Sequence, residues 1–368
     1  MRDTSVTVSQ TAAGSRHNNF NLLRLFFASL VILSHSSILV DGNRHRELLY
    51  QAFHTISFGA LAVDGFFVLS GYLIVQSWQA VPKTRVFLAK RCLRIYPGFI
   101  IAALACVLIV GPLGQGASVA AYFAEFQFWP FLKSVLTMDS PVTPPVFPGQ
   151  PHPIVNGSMW TITYEFRCYL LVLLFGVFGL LKRRFLWLTM SITSLVLFAF
   201  FPELIKGRSF YGLHIFLHDS EQFVRFFTFF SMGGCFYLFR ERIKYHTGVA
   251  AIAILVLLPC LYKLTMAKLA LATLGSYLLF WIAFTRVNIL ERFWKLSDIS
   301  YGVYLYGWPV QKVWLWYFPA MSPWVLFPLA LAGSCCLGWL SWHLVEAPFL
   351  RLKTRLKPPV VVCQPGQA

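Results

Sequence analysis

Asn21-Leu-Leu-Arg24-Leu-Phe-Phe-Ala-Ser-Leu-Val-Ile-Leu-Ser-His35 is an apolar run interrupted by two ionisable side chains. It lacks Gly and Pro, and with its apolar flanks it reaches the ~20 residues that a helical bilayer crossing needs. Arg24 and His35 are eleven residues apart, which is three helical turns plus about 20°. The two therefore share one face, separated by about 16 Å along the axis. A charge inside hydrocarbon costs about 2.5–3.5 kcal/mol on insertion scales and usually marks function. An Arg snorkelling to the interface and a His satisfied by a neighbouring helix would explain the pair without any chemistry, so the rest of the chain decides.

Working outward, the chain is 57% hydrophobic and only 12% charged, which places it among all-α, polytopic integral membrane proteins. Ten apolar segments stand out, at about 20–40, 56–79, 96–115, 158–180, 185–202, 221–239, 248–262, 267–285, 299–318 and 324–345. About ten transmembrane helices are expected, the seventh being short for a full crossing. The expected organisation is a cytoplasmic N-terminal tail at 1–17, a membrane domain at 18–350 and a cytoplasmic C-terminal tail at 351–368. The polar start and the lack of a small-residue cleavage site argue against a removable signal peptide.

The net charge of +17 would suit nucleic acid if it were clustered on one surface, but it is distributed by loop. Lys83, Arg85, Lys90, Arg91 and Arg94 follow the second segment; Lys182, Arg183 and Arg184 follow the fourth; Arg240, Arg242 and Lys244 follow the sixth. Arg286, Arg292 and Lys295 follow the eighth, and Arg351, Lys353, Arg355 and Lys357 the tenth. Every second loop is basic, which is the positive-inside pattern for a multi-pass inner (plasma) membrane protein with both termini in the cytoplasm. Most of the charge is thus a topological signal, and nucleic acid is not needed to explain it.

The eight cysteines form no Cys-x-x-Cys pair and lie mostly in or beside apolar segments; they read as small buried side chains, without a disulfide framework or zinc site. Asn156-Gly-Ser158 fits a glycosylation acceptor, a triplet frequent by chance. His214 and His218 are spaced for one helical face, but an ordinary solvated loop explains them better than a metal, and no metal is expected. Ala120 to Trp129 is apolar enough to lie in the interface as a short helix.

Three ionisable residues are expected at similar depth in the outer half of the membrane: His35, Asp64 in Val63-Asp-Gly-Phe-Phe-Val-Leu-Ser70, and Glu165 in Trp160-Thr-Ile-Thr-Tyr-Glu165. A carboxylate beside an imidazole fixes its tautomer and raises its basicity, as base catalysis on a hydroxyl requires. A polar cluster that glues helices together is the structural alternative. On the cytoplasmic side, Arg91 and Arg94 have i, i+3 spacing and could clamp phosphates bidentately, or serve as topological anchors. Arg24 and Glu346 fall near the same depth.

The Arg24–His35 spacing, Val63-Asp-Gly-Phe-Phe-Val-Leu-Ser-Gly-Tyr72, the Arg91–Arg94 pair, Trp160-Thr-Ile-Thr-Tyr-Glu165, Ile299-Ser-Tyr-Gly-Val-Tyr-Leu-Tyr306 and Glu346-Ala-Pro-Phe349 together resemble the acyltransferase 3 family of integral membrane acyltransferases. The resemblance covers roughly residues 18–350. It implies transfer of an acyl group, acetyl by default, from cytoplasmic acetyl-CoA to a hydroxyl of a cell-surface or exported glycan. It also implies His35 as the essential imidazole, and functional roles for Arg24, Arg91 and Arg94. Many relatives carry a His after the Tyr-Leu-aromatic run where this chain has Gly307, so no second histidine is assigned there. The fused soluble domain of some relatives is not expected. Intramembrane Arg, Asp and Glu would also suit a transporter or flippase of a lipid-linked glycan or anion, although no inverted repeat is evident.

Overall fold

The computed structural model describes residues 18–116, 118–206, 219–285 and 297–353. The tail at 1–17, most of the C-terminal tail, and the His214 and His218 pair lie outside the described residues. Each of the ten apolar segments contains a helix: α1 Phe20–Asp41, α2 Phe58–Ala80, α3 Thr84–Leu113, α4 Trp160–Val177, α5 Arg184–Phe200, α6 Ser220–Leu238, α7 Thr247–Cys260, α8 Leu264–Phe284, α9 Ser300–Tyr317 and α10 Pro323–Arg351. Among the described residues there is no β-strand. Six helices, α1, α2, α3, α4, α8 and α10, are long and apolar enough to cross a membrane. Helices α5 and α7 are apolar but have only 17 and 14 residues. The remaining two, α6 and α9, are long enough but carry Glu221 and Arg225, and Gln311 and Lys312.

Local signals explain the helix ends. Ser57 caps α2 by accepting from Ala60 N–H, and Asp219 caps α6 through Glu221 N–H and Gln222 N–H, which satisfies amide groups that have no partner within the helix. Gly42, at φ +75°, closes α1 by donating to Ile38 C=O, a conformation in which most side chains are strained.

The centre of the bundle is the pairing of α2 with α6. α2 also packs on α1, which packs on α9, which in turn packs on α10. The α2–α6 contact brings backbone against backbone: a Cβ at Gly71 would lie 1.8 Å from Phe230 O, and one at Gly233 would lie 1.9 Å from Val68 O. Helices in lipid gain little from the hydrophobic effect and associate through such close approach. Helix α7 is peripheral: it buries only Ala250 and Ala253 and leaves Ile252 and Leu255 exposed.

The long segment between α3 and α4 is ordered against α9. Asn156 Nδ2 donates to Leu305 O at 2.9 Å, Trp308 Nε1 to Ile154 O at 3.3 Å, and Lys312 Nζ to Pro151 O at 3.0 Å. Asn156 is 1% exposed, so it is a structural side chain and not an accessible glycan acceptor. The apolar stretch before it forms two short helices, Val119–Glu125 and Phe128–Thr137, with Phe128 and Trp129 exposed as an interfacial segment requires. The seven described cysteines are free thiols.

Candidate active site

The start of α1, the first half of α3, the residues entering α9 and the end of α10 converge on one charged cluster. Arg24 NH1 donates to Asp298 Oδ2 at 3.0 Å, and Arg94 NH2 donates to the same oxygen at 2.6 Å. Arg94 NH1 reaches Glu346 Oε2 at 3.1 Å. Ser300 Oγ donates to Asp298 Oδ1, and Ser341 Oγ to Glu346 Oε1. Glu346 closes a π-helical turn, Trp342–Glu346, a local widening of the helix that often accompanies functional positions. Two guanidinium groups thus meet two carboxylates, and the charges are matched locally.

Arg91 differs. Its NH2 donates to Ser77 Oγ at 3.1 Å, its guanidinium stacks near the rings of Phe87 and Tyr169, and its Nε is buried without a hydrogen-bond partner. No carboxylate forms an ion pair with it among the described residues. The i, i+3 pair therefore divides, with Arg94 held by acids and Arg91 left with unused donor capacity.

These side chains line a cavity of about 320 Å³. Arg24, Arg91, Arg94 and Lys353 stand on its wall together with Glu165, Tyr169, Thr161, Tyr301 and Tyr304. Glu165 Oε1 accepts from Ser70 Oγ at 2.8 Å and from Tyr169 OH at 2.6 Å, while among the described residues no hydrogen bond uses its Oε2. Tyr304 OH donates to Ser158 O at 2.7 Å and lies 2.6 Å from Thr161 Oγ1. Glu165 therefore shares a cavity with the arginines and does not sit in a separate outer layer.

His35 is not among the residues that line this cavity. Its ring packs edge-on against Trp308, with centroids 4.9 Å apart, and Trp308 lies four residues beyond Tyr304 on α9, one helical turn along the same face. The His152 ring also meets that indole, with centroids 6.2 Å apart. The Nδ1 of His35 is buried without a hydrogen-bond partner. One turn away, Gln311 Nε2 ties α9 to α1 through Ile32 O and Ser36 Oγ.

Asp64 is committed elsewhere. Its two oxygens take Arg225 Nε at 3.0 Å and NH2 at 3.1 Å in a bidentate pair, and the same NH2 reaches Ala60 O. His35, Asp64 and Glu165 thus have separate partners, and no hydrogen bond joins any two of them. Reading the sequence missed Arg225 and Asp298 as partners. Arg225 carried a usable signal, a lone cation within an apolar segment; Asp298 sits just before a segment and had none. Among the described residues no group of His, Cys, Asp or Glu is arranged to hold a metal ion.

Residues 17–343 match the family described as an acyltransferase domain, and the chain belongs to that family, acyltransferase 3. It is 26% identical to an O-acetyl transferase of Shigella phage Sf6, over 93% of this chain and 98% of the relative. It is also 26% identical to nodulation protein 10 of Rhizobium leguminosarum bv. viciae, over 95% of this chain and 97% of the relative. No solved structure matches it.

Proposed function

We propose that this acyltransferase is a membrane O-acetyltransferase that moves an acetyl group from cytoplasmic acetyl-CoA to a hydroxyl of a cell-surface or exported glycan. The observation that carries the reading is the single cavity. It is lined by cations, with donor capacity left on Arg91, and by Thr161 and Tyr304, the latter one turn of α9 before the indole that packs on His35. Coenzyme A phosphates would meet the arginines, with Arg91 as the direct contact and Arg24 and Arg94 as neighbours held in place by Asp298 and Glu346. The extended thioester arm would point inward, and the roughly 16 Å rise from Arg24 to His35 suits its length.

His35 would take the proton of the acceptor hydroxyl as its oxygen attacks the thioester carbonyl carbon. Departure of the thiolate, which then receives that proton, leaves an O-acetyl ester and CoA. An imidazole with an unengaged ring nitrogen is suited to this task, or to carrying the acetyl group transiently. Glu165, with Oε2 free, is placed to orient a substrate group in the cavity. Asp64 would act at a distance, by fixing α2 against α6 through Arg225.

A ten-span arrangement with both termini cytoplasmic, in the plasma membrane, is part of this proposal. It is supported by the helix in every apolar segment and by the alternating basic loops. The polar content of α6 and α9 fits helices at the bundle centre, where they face protein instead of lipid. Purified protein in proteoliposomes, given acetyl-labelled acetyl-CoA and extracted envelope glycans, should place alkali-labile label on the glycan. Movement of glycan across the bilayer without acetyl-CoA consumption would favour a transporter and overturn the reading.

A further inference from the structure

Lys353 follows the last turn of α10 and lines the same cavity as Arg91. Among the described residues its ammonium has no ion pair and no hydrogen bond. The neighbouring charges do not compensate it. Asp298 is shared between Arg24 and Arg94, Glu346 is held by Arg94 and Ser341, and Glu165 takes the hydroxyls of Ser70 and Tyr169. That leaves Lys353 and Arg91 as two cations on one wall with no carboxylate in contact with either. Cations without carboxylate partners that share a cavity suit an anion as their partner.

We propose that Lys353 and Arg91 together form the phosphate-recognition site for the acyl donor in this cavity. This rests on acyl-CoA being the donor, as proposed above. The two residues divide the task by chemistry: Arg91 offers a planar fork with a free Nε, and Lys353 offers a compact charge on a flexible stem. Asp298 and Glu346 hold Arg24 and Arg94 in place beside them, so that the site stays open before the donor arrives.

A consequence is that donor affinity depends on pH. Burial, reinforced by Arg91, Arg94 and Lys90, pushes the Lys353 ammonium down to about 7. The group is charged below that value and loses its proton above it. A bound phosphate holds the proton and raises the pKa, so affinity is highest below pH 7 and falls as pH rises through 7 towards 9. A phosphate monoester is already doubly charged across this window, so the ligand does not produce the trend. The charges that act on the ammonium are those of Arg91, Arg94 and Lys90, and a trend produced by any other group would persist when residue 353 is changed.

Full-length protein in detergent is titrated with acetyl-CoA at pH 7 and pH 9. Wild type should lose about 10-fold or more in affinity over that interval, the scale of one charge-assisted contact. Lys353→Arg, charged throughout, should bind about equally at both values. Lys353→Gln should bind about 10-fold or more weakly at pH 7 and show no further loss at pH 9. Wild-type affinity in Lys353→Gln at pH 7, or an undiminished pH slope in Lys353→Arg, would overturn the proposal. Inorganic pyrophosphate at pH 7 separates it from the donor assignment. Protein that binds pyrophosphate in a Lys353-dependent way but refuses acetyl-CoA keeps the anion site and loses the acyl-CoA reading. Pyrophosphate binding that ignores Lys353→Gln counts against the site itself.

Discussion

His35 is held by packing against an indole and left chemically free, since Nδ1 has no hydrogen-bond partner. General-base assistance typically contributes about 10²–10⁴-fold, so His35→Ala should lose at least that much acetyl transfer while eluting as intact protein from a sizing column. Ala favours helix and removes no hydrogen bond that α1 depends on. Asp64 calls for a different outcome. Removing it strands Arg225 inside the bundle, and breaking a buried pair from one side costs about 3–5 kcal/mol. Asp64→Ala should therefore lower the thermal unfolding midpoint in detergent markedly, and adding Arg225→Met should recover much of the loss. A midpoint unchanged by Asp64→Ala would show that the carboxylate serves chemistry and not the α2–α6 contact. Of the residues singled out by sequence, Arg24, Arg91, Arg94 and Glu165 do share one cavity. Most of their partners were not legible, because Asp298 is distant in the chain from Arg24 and Arg94, and Ser70 from Glu165; Tyr169, one turn from Glu165 on α4, is the local exception.

At the scale of elements, α2 and α6 meet through Gly71 and Gly233, where any side chain would overlap a carbonyl oxygen. Neither contact can be relieved by a rotamer change, because the obstructing atoms are backbone. Gly71→Val or Gly233→Val should therefore prevent assembly, seen as loss of monodisperse protein after extraction, whereas Gly248→Ala, with open space around it, should behave as wild type. The helices themselves were readable: all ten apolar segments contain one, because sustained hydrophobicity of this length admits little else in a bilayer. What escaped was the breadth of polar content at the centre. Helices α6 and α9 are less apolar than their neighbours, yet α6 pairs with α2, and α9 with α1 and α10. The order of the Pro-rich segment was equally hidden, since it depends on Lys312, Asn156 and Trp308 reaching residues distant from them in the chain.

At the scale of the whole molecule, the cavity gives the bundle a direction. Arg24, Arg91, Arg94 and Lys353, from α1, α3 and the residues after α10, line it together with Glu165 and Tyr304, and Tyr304 lies one turn of α9 before the indole that packs on His35. A donor entering at the cations and an acceptor meeting the imidazole from the other side would let an acetyl group cross part of the membrane without coenzyme A doing so. The most direct measurement is a sided one. Proteoliposomes of uniform orientation receive acetyl-labelled acetyl-CoA on one face only, with the glycan acceptor on the opposite face, and label on the glycan is counted. Transfer is predicted when acetyl-CoA is on the face of the basic loops and not when the two substrates are exchanged. Equal transfer from either face, or label on the glycan only when both substrates share a face, would contradict the account.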